Sequence, residues 1–170
     1  MNKRIILGCI LAIFISLLGV SLFLMKKKQD FKRALAVIPE FCLPQAVDNR
    51  PFCNTQFVNG KSVVLSYIHP ECEFCRTEAQ QIRQKADSIG DIQWVLVSFA
   101  ERDSLQKFME INQLTDIPGL VMLVDSQHEL YDRLQVKNIP TSYVYDRRHR
   151  LVTIMPGAVR LEKLIQPANR

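Results

Sequence analysis

Ser62-Val63-Val64-Leu65-Ser66-Tyr67-Ile68 is a short, apolar, β-branched run that gives way within a few residues to a helix-period stripe. No other feature limits the fold so tightly. Such a run reads as a central strand buried on both faces, and Pro70 ends it. From 73 to 89 the apolar residues Cys75, Ala79, Ile82, Ala86 and Ile89 recur in alternating steps of four and three, which is one face of a helix. Gly90 supplies a favoured stop. The alternation then repeats: a strand over 92–99, a helix over 103–111 with Leu105, Phe108 and Met109 on one side, and a strand over 120–124. Ser126-Gln127-His128-Glu129 fits a capping box and predicts a helix from there to about 134. Strands at 142–145 and 151–155 and a short helix at 161–165 complete the order. Strands alternating with helices predict an α/β fold whose sheet is mostly parallel and covered on both faces, with the last two strands adding an antiparallel edge.

The chain ahead of this region is different. Residues 5–25 hold no charge, and a helix of that length spans roughly 30 Å, the thickness of a bilayer core. Lys3 and Arg4 precede it and Lys26, Lys27 and Lys28 follow. It is longer than the apolar core of a cleaved signal and lacks a small-x-small cleavage site, so the expectation is an uncleaved anchor. Cys9 reads as a small apolar residue within it. The organisation expected is a tail at 1–4, an anchor at 5–25, a juxtamembrane linker at 26–39 and a domain at 40–170. The net charge of +5 belongs to those flanks: five of the 22 Lys and Arg precede residue 30, and the remaining 17 balance 17 Asp and Glu. A nucleic-acid partner is therefore not expected.

The chemistry concentrates at Cys72-Glu73-Phe74-Cys75, where the buried strand turns into the helix. Unpaired backbone N–H groups and the macrodipole at a helix N-terminus favour a thiolate, the attacking species. Cys72 sits on the exposed first turn. Cys75 heads the apolar stripe and faces inward. The arrangement predicts that Cys72 attacks a partner disulfide and Cys75 resolves the mixed disulfide. Two other readings stand beside it: a four-thiolate zinc site completed by Cys42 and Cys53, and a purely structural Cys72–Cys75 bridge.

Phe41-Cys42-Leu43-Pro44, Gly60-Lys61-Ser62-Val63-Val64-Leu65, Cys72-Glu73-Phe74-Cys75-Arg76-Thr77-Glu78 and Ile139-Pro140-Thr141 together resemble the TlpA/ResA-like branch of the thioredoxin family over about residues 40–165. The resemblance implies a thioredoxin-like fold, a central mixed sheet flanked by helices, behind an N-terminal transmembrane helix. It implies a single-pass protein of the bacterial cytoplasmic membrane with its domain outside. There it would reduce disulfides of protein partners, as in cytochrome c maturation, and draw electrons from an upstream thiol donor such as a membrane thiol transporter. No metal or cofactor is expected beyond the redox-active Cys72–Cys75 disulfide. Pro140 would be a cis-proline facing the pair, and Ile139 would offer its backbone to an extended substrate chain, with Thr141 and Phe74 beside it. Glu78 matches the acid that follows the motif in this branch, and one helical turn from Cys75 it would manage the proton of a buried thiol; the alternative is a solvated helix glutamate.

The chain also departs from that pattern. Tyr67-Ile68-His69-Pro70-Glu71 stands where the branch usually carries aromatic residues. Glu71 and Glu73 place two anions beside Cys72, which disfavours a thiolate and so favours a reductant. His69 is either a charge partner for Cys72 or a loop residue, and His128 and His149 read as surface positions. Cys42 and Cys53 flank a turn at 48–51; they read as a cross-hairpin structural disulfide, with free thiols or a second redox relay as alternatives. On orientation the residues disagree: the lysines after the span place the domain inside, while the resemblance places it outside, which is the expectation adopted. Three competing functions remain, one of them a tethered, non-enzymatic binding module with a structural zinc. A peroxiredoxin-type peroxidase wants Thr three residues before its cysteine, where this chain has His69. A copper carrier of the Sco type wants a three-residue spacing and a distal histidine, of which only His128 is on offer.

Overall fold

A computed structural model of the chain describes residues 3–88 and 90–168, with the side chains at 3–10, 28, 32 and 88 excepted. The chain divides into two units between Ala36 and Val37. The first contains one helix, α1 (Lys3–Ala34), 32 residues long. It runs through most of the segment expected to be a linker. Among the described residues no helix is long and apolar enough to cross a membrane. The span expected at 5–25 includes positions 5–10, whose side chains lie outside the description, and so does Ile89 of the apolar stripe.

The second unit opens with a hairpin, β1 (Cys42–Pro44) and β2 (Pro51–Cys53), closed by the turn expected at 48–51. Asn59-Gly60 then turns the chain, with Gly60 at φ +85°, a conformation glycine adopts without steric cost. There follow β3 (Ser62–Tyr67), α2 (Glu73–Gln84), β4 (Ile92–Ser98), α3 (Arg102–Ile111), β5 (Leu120–Val124), α4 (Glu129–Leu134), β6 (Thr141–Tyr145), β7 (Leu151–Pro156) and α5 (Leu161–Ala168). The main sheet has the order β5-β4-β3-β6-β7. β3 is central and buried along its whole length, as its unbroken apolar run requires.

The sheet is mixed, and less parallel than the alternation of elements predicts. β3–β4 and β4–β5 are parallel, whereas β3–β6 and β6–β7 are antiparallel. β6 pairs with the central strand instead of lying beyond it, so the antiparallel half reaches the middle. Which strand pairs with which is a tertiary choice that periodicity does not encode.

Side chains alternate across the sheet. On one face Val64, Trp94, Leu96, Met122 and Val144 pack against Cys75, Ala79 and Ile82 of α2, Leu105 and Phe108 of α3, and Leu161 and Leu164 of α5. The other face carries Tyr67, Tyr143 and Tyr145, and the Tyr143 hydroxyl donates to Leu134 O at 2.8 Å, fixing α4 there. The hairpin covers the β5 edge: Ala46 N donates to Met122 O at 2.8 Å, and Gln106 of α3 donates to Ala46 O at 2.8 Å.

Two local expectations fail. α2 ends at Gln84, five residues before Ile89, because the chain tightens through Lys85 into a 3-10 turn over Ala86–Ser88. Gly90 therefore does not close the helix. The capping box at 126–129 does not form either. His128 precedes α4 in the left-handed region, and no side-chain cap is made. The buried Asp125 carboxylate takes over instead: its Oδ2 accepts from Tyr131 N at 2.9 Å.

Candidate active site: the Cys72–Cys75 pair

β3 delivers the chain to His69 and Pro70, and α2 begins immediately after Cys72, which is the helix N-cap. The local sequence explains this. Pro70 cannot extend the strand ladder, and the apolar stripe from Cys75 must turn back onto the sheet to be buried. Both thiols are free. Cys72 is half-buried, and its Sγ accepts from Cys75 N at 3.4 Å. On its other side Sγ lies 3.8 Å from Ile139 O. Cys75 is 1% exposed. Burial pushes its thiol well above the ordinary range; the neighbouring Cys72 sulfur adds to this, a hydrogen bond from the His69 backbone opposes it, and Glu78 adds again. The two sulfurs are thus unequal: one reaches solvent beside a free helix end, and the other is held protonated behind it.

The Ile139–Pro140 peptide is cis. Ile139 is half-buried against the core and Pro140 is buried. Phe74 stands 62% exposed between the cysteines. Ile139 thus contacts Cys72 through its carbonyl, Pro140 follows it in the chain, and Phe74 lies between the two cysteines in sequence. Thr141 is 3% exposed and its hydroxyl donates to Asn138 O at 2.6 Å.

Glu78 is 2% exposed, which rules out a solvated helix glutamate. Its Oε1 accepts from Ser66 Oγ at 2.8 Å and from Ser142 Oγ at 3.3 Å, while Oε2 is buried with no partner. Burial raises the carboxyl above its usual range, and the two serine hydroxyls pull it back down. The serines escaped the sequence reading. The signal was present: each is a polar residue inside an apolar strand, at positions that β3–β6 pairing sets directly opposite, Ser66↔Ser142.

Cys42 and Cys53 face each other across the hairpin and form a disulfide with a Cα–Cα distance of 4.0 Å. That bond removes the second thiolate pair a four-cysteine zinc site needs. Among the described residues no group of three or more His, Cys, Asp or Glu is placed to hold a metal ion.

The His69 side chain bonds within its own turn and packs on an aromatic ring. Its Nδ1 accepts from Glu71 N at 3.3 Å, and its ring packs on Phe99 at a centroid distance of 5.2 Å. His128 is exposed as expected but stacks on Phe99 at 4.8 Å. His149, expected at the surface, is half-buried against Phe57. Tyr67 and Asp125 form a further buried pair below this wall, with the Tyr67 hydroxyl donating to Asp125 Oδ2 at 2.8 Å. Beside the active-site turn a groove of about 780 Å³ runs between His69, Glu71, Arg76, Phe99, Lys107 and Ile111.

With the pair, the cis-proline and the mixed sheet in place, comparison with known proteins becomes informative. The AhpC/TSA family model matches residues 35–154. The chain belongs to the AhpC/TSA family. No curated protein matches its sequence at a significant level. Among solved structures it is similar to a secreted Mycobacterium tuberculosis disulfide oxidoreductase homologous to E. coli DsbE, at 21% identity and a TM-score of 0.64, over 80% of this chain and 97% of that one. It is similar to StoA from Bacillus subtilis, at 19% identity and a TM-score of 0.62, over 79% and 99% of the two chains. It is also similar to the peroxidoxin BcpB from Mycobacterium tuberculosis, at 18% identity and a TM-score of 0.64, over 78% and 90%. At these identities the likeness carries the thioredoxin-like fold. The AhpC/TSA match and this fold agree with the thioredoxin-like architecture that the sequence resemblance implies.

Proposed function

We propose that this chain is a thiol–disulfide oxidoreductase that reduces disulfides in protein partners. The inequality of its two thiols carries the reading. Cys72, half-buried at the tip of α2, attacks a partner disulfide and forms a mixed disulfide, releasing one partner thiol. Cys75, buried behind it, loses its proton and attacks Cys72 Sγ. The second partner thiol leaves, and a Cys72–Cys75 disulfide remains. Two electrons pass to the partner, and an upstream protein thiol donor restores the dithiol. Ile139 and Pro140, with Phe74, form the rim against which an extended substrate segment lies, and Glu78 takes the Cys75 proton.

Where in the cell this happens is proposed from the first helix. The uncharged stretch at 5–25 anchors the protein in a bacterial cytoplasmic membrane, with the domain outside, where oxidised envelope proteins such as apocytochrome c are the substrate class. The Cys42–Cys53 disulfide supports an oxidising compartment. Glu71 and Glu73, exposed on either side of Cys72, favour reduction over oxidation.

The test is trapping with Cys75→Ser, which should hold partners on Cys72 as stable mixed disulfides. Partners held by Cys72→Ser instead would reverse the roles. Alkylation of Cys72 by a membrane-impermeant reagent in intact cells tests the orientation. A peroxidase is the second reading, favoured by the similarity to the peroxidoxin BcpB. Peroxide turnover with a thiol donor, faster than reduction of a protein disulfide, would establish it.

A further inference from the structure

We propose that Ser66 and Ser142 are positioning residues that fix the Glu78 carboxyl, so that Oε2 alone receives the Cys75 proton in the resolving step. This rests on the thiol–disulfide reading above and concerns the same site.

Both serines are 0% exposed. They stand opposite each other on β3 and β6, with their hydroxyls 2.8 Å apart. Each has one proton to donate; Ser66 Oγ lies 2.8 Å and Ser142 Oγ 3.3 Å from Oε1 of Glu78, and the two hydroxyls also bond to each other with either as donor. Neither reaches Oε2, which is buried and has no partner. The two carboxyl oxygens are therefore unequal. Oε1 accepts from hydroxyls whether the carboxyl is ionised or neutral, because a neutral carboxyl keeps a carbonyl-type oxygen there. The proton comes and goes at Oε2. Proton gain and loss then require no rearrangement of the clamp, and an acceptor that does not reorganise is an effective one. An apolar pair at these positions would leave Glu78 buried with no donor and hard to ionise.

The surroundings isolate the exchange. On the same sheet face, Val64, Ile68 and Val144 flank the serines. Tyr67 and Tyr143, adjacent to the serines in sequence, point to the opposite face, with their hydroxyls bound to Asp125 and Leu134. From α5 the apolar Leu161, Leu164, Ile165 and Ala168 turn inward, and its Glu162 pairs with Lys85 outside. Cys75, one turn before Glu78 on the buried side of α2, is the titratable partner, with Cys72 behind it. In the step itself, Cys75 S–H gives its proton to Glu78 Oε2, the Cys75 thiolate attacks Cys72 Sγ of the mixed disulfide, the Cys72–partner S–S bond breaks, and the partner thiolate takes up a proton.

The full chain carrying Cys9→Ser, which leaves Cys72 and Cys75 as the reacting thiols, separates the steps when reacted with the aromatic disulfide DTNB. A first thionitrobenzoate reports attack by Cys72, and a second reports resolution by Cys75. Ser66→Ala and Ser142→Ala should each slow the second phase about ten-fold at neutral pH, as loss of one charge-assisted hydrogen bond implies. They should also move the acid limb of its pH profile to higher pH and leave the first phase unchanged. Ser66→Thr and Ser142→Thr, which keep the hydroxyl, should restore the profile. In a Glu78→Gln background the alanine changes should add nothing. Equal slowing of both phases, or threonine variants as slow as the alanine ones, overturns the proposal. So does an acid limb that persists in Glu78→Gln, a result read without any serine variant having to fold. A Cys9→Ser chain with both serines intact that releases only the first thionitrobenzoate overturns the thiol–disulfide reading itself, whereas normal resolution in the alanine variants overturns this proposal alone.

Discussion

Replacing both Cys42 and Cys53 with serine removes the hairpin disulfide, and the cost follows from how the chain is tied. The bridge spans a sequence separation of 11. In the chain-entropy model, releasing a loop of that length gives the unfolded state roughly 2.8 kcal/mol at 25 °C. Little packing is lost alongside, since Cys42 is exposed and Cys53 half-buried. With an m-value of about 2 kcal/mol/M, the urea midpoint should fall by roughly 1.4 M while m changes little. Trp94 makes the measurement direct. It is the chain's single tryptophan and is 0% exposed in β4, so its fluorescence reports loss of the main sheet instead of local opening of the hairpin. Both cysteines must be changed together, because one alone leaves a thiol able to exchange with Cys72. A midpoint that moves by less than about 0.3 M would show that the bridge does not constrain the unfolded chain as its loop length requires, and the loop argument would be wrong. A fall in m would point to a change in the unfolded or native ensemble instead.

Three further outcomes are expected. Iodoacetamide at neutral pH should label the reduced site once, at Cys72, because burial holds Cys75 protonated; peptide mapping that finds Cys75 labelled first would contradict this. Glu78 is raised by burial, so the folded state keeps its proton longer than the unfolded chain does. Its contribution to stability is therefore complete below the unfolded carboxyl range and is lost as pH rises through the raised folded value. Glu78→Gln should accordingly melt higher than wild type at neutral pH, converge with it in acid, and still slow resolution. Parallel melting curves across pH would refute that sign. Tyr67→Phe removes the donor to Asp125 Oδ2 while Oδ1 already lacks a partner, and should destabilise by about 1–3 kcal/mol in Trp94-monitored unfolding.

The nucleophile pair and its setting were legible in the residues because they depend on local rules. A buried strand must end at Pro70, a stripe of period 3.6 must bury Cys75, and a cysteine just ahead of that stripe must sit at the free end of a helix. Cys42 and Cys53, either side of a strong turn, belong to the same class of inference. Short-range signals were weaker where several partners compete. Ser126 and Glu129 make a sound capping box on paper, yet Asp125, buried at the end of β5, takes the backbone donor at Tyr131 that α4 presents. The length of α2 was overread because a stripe continues to look periodic through a 3-10 turn.

The cysteine pair that opened the chemistry is thus determined by sequence in identity, order and asymmetry of burial, since each follows from neighbours a few positions away. What surrounds it is not. Pairing of β3 with β6, instead of with a parallel neighbour on both sides, brings Ser142 and Pro140 from more than sixty residues downstream to Glu78 and Cys72. It buries Thr141 and makes Glu78 a clamped acid in place of a solvated one. Hydrophobic periodicity fixes which face of each element is buried, but strand order is chosen by the packing of the whole sheet, and only that choice places two serines and a carboxyl together.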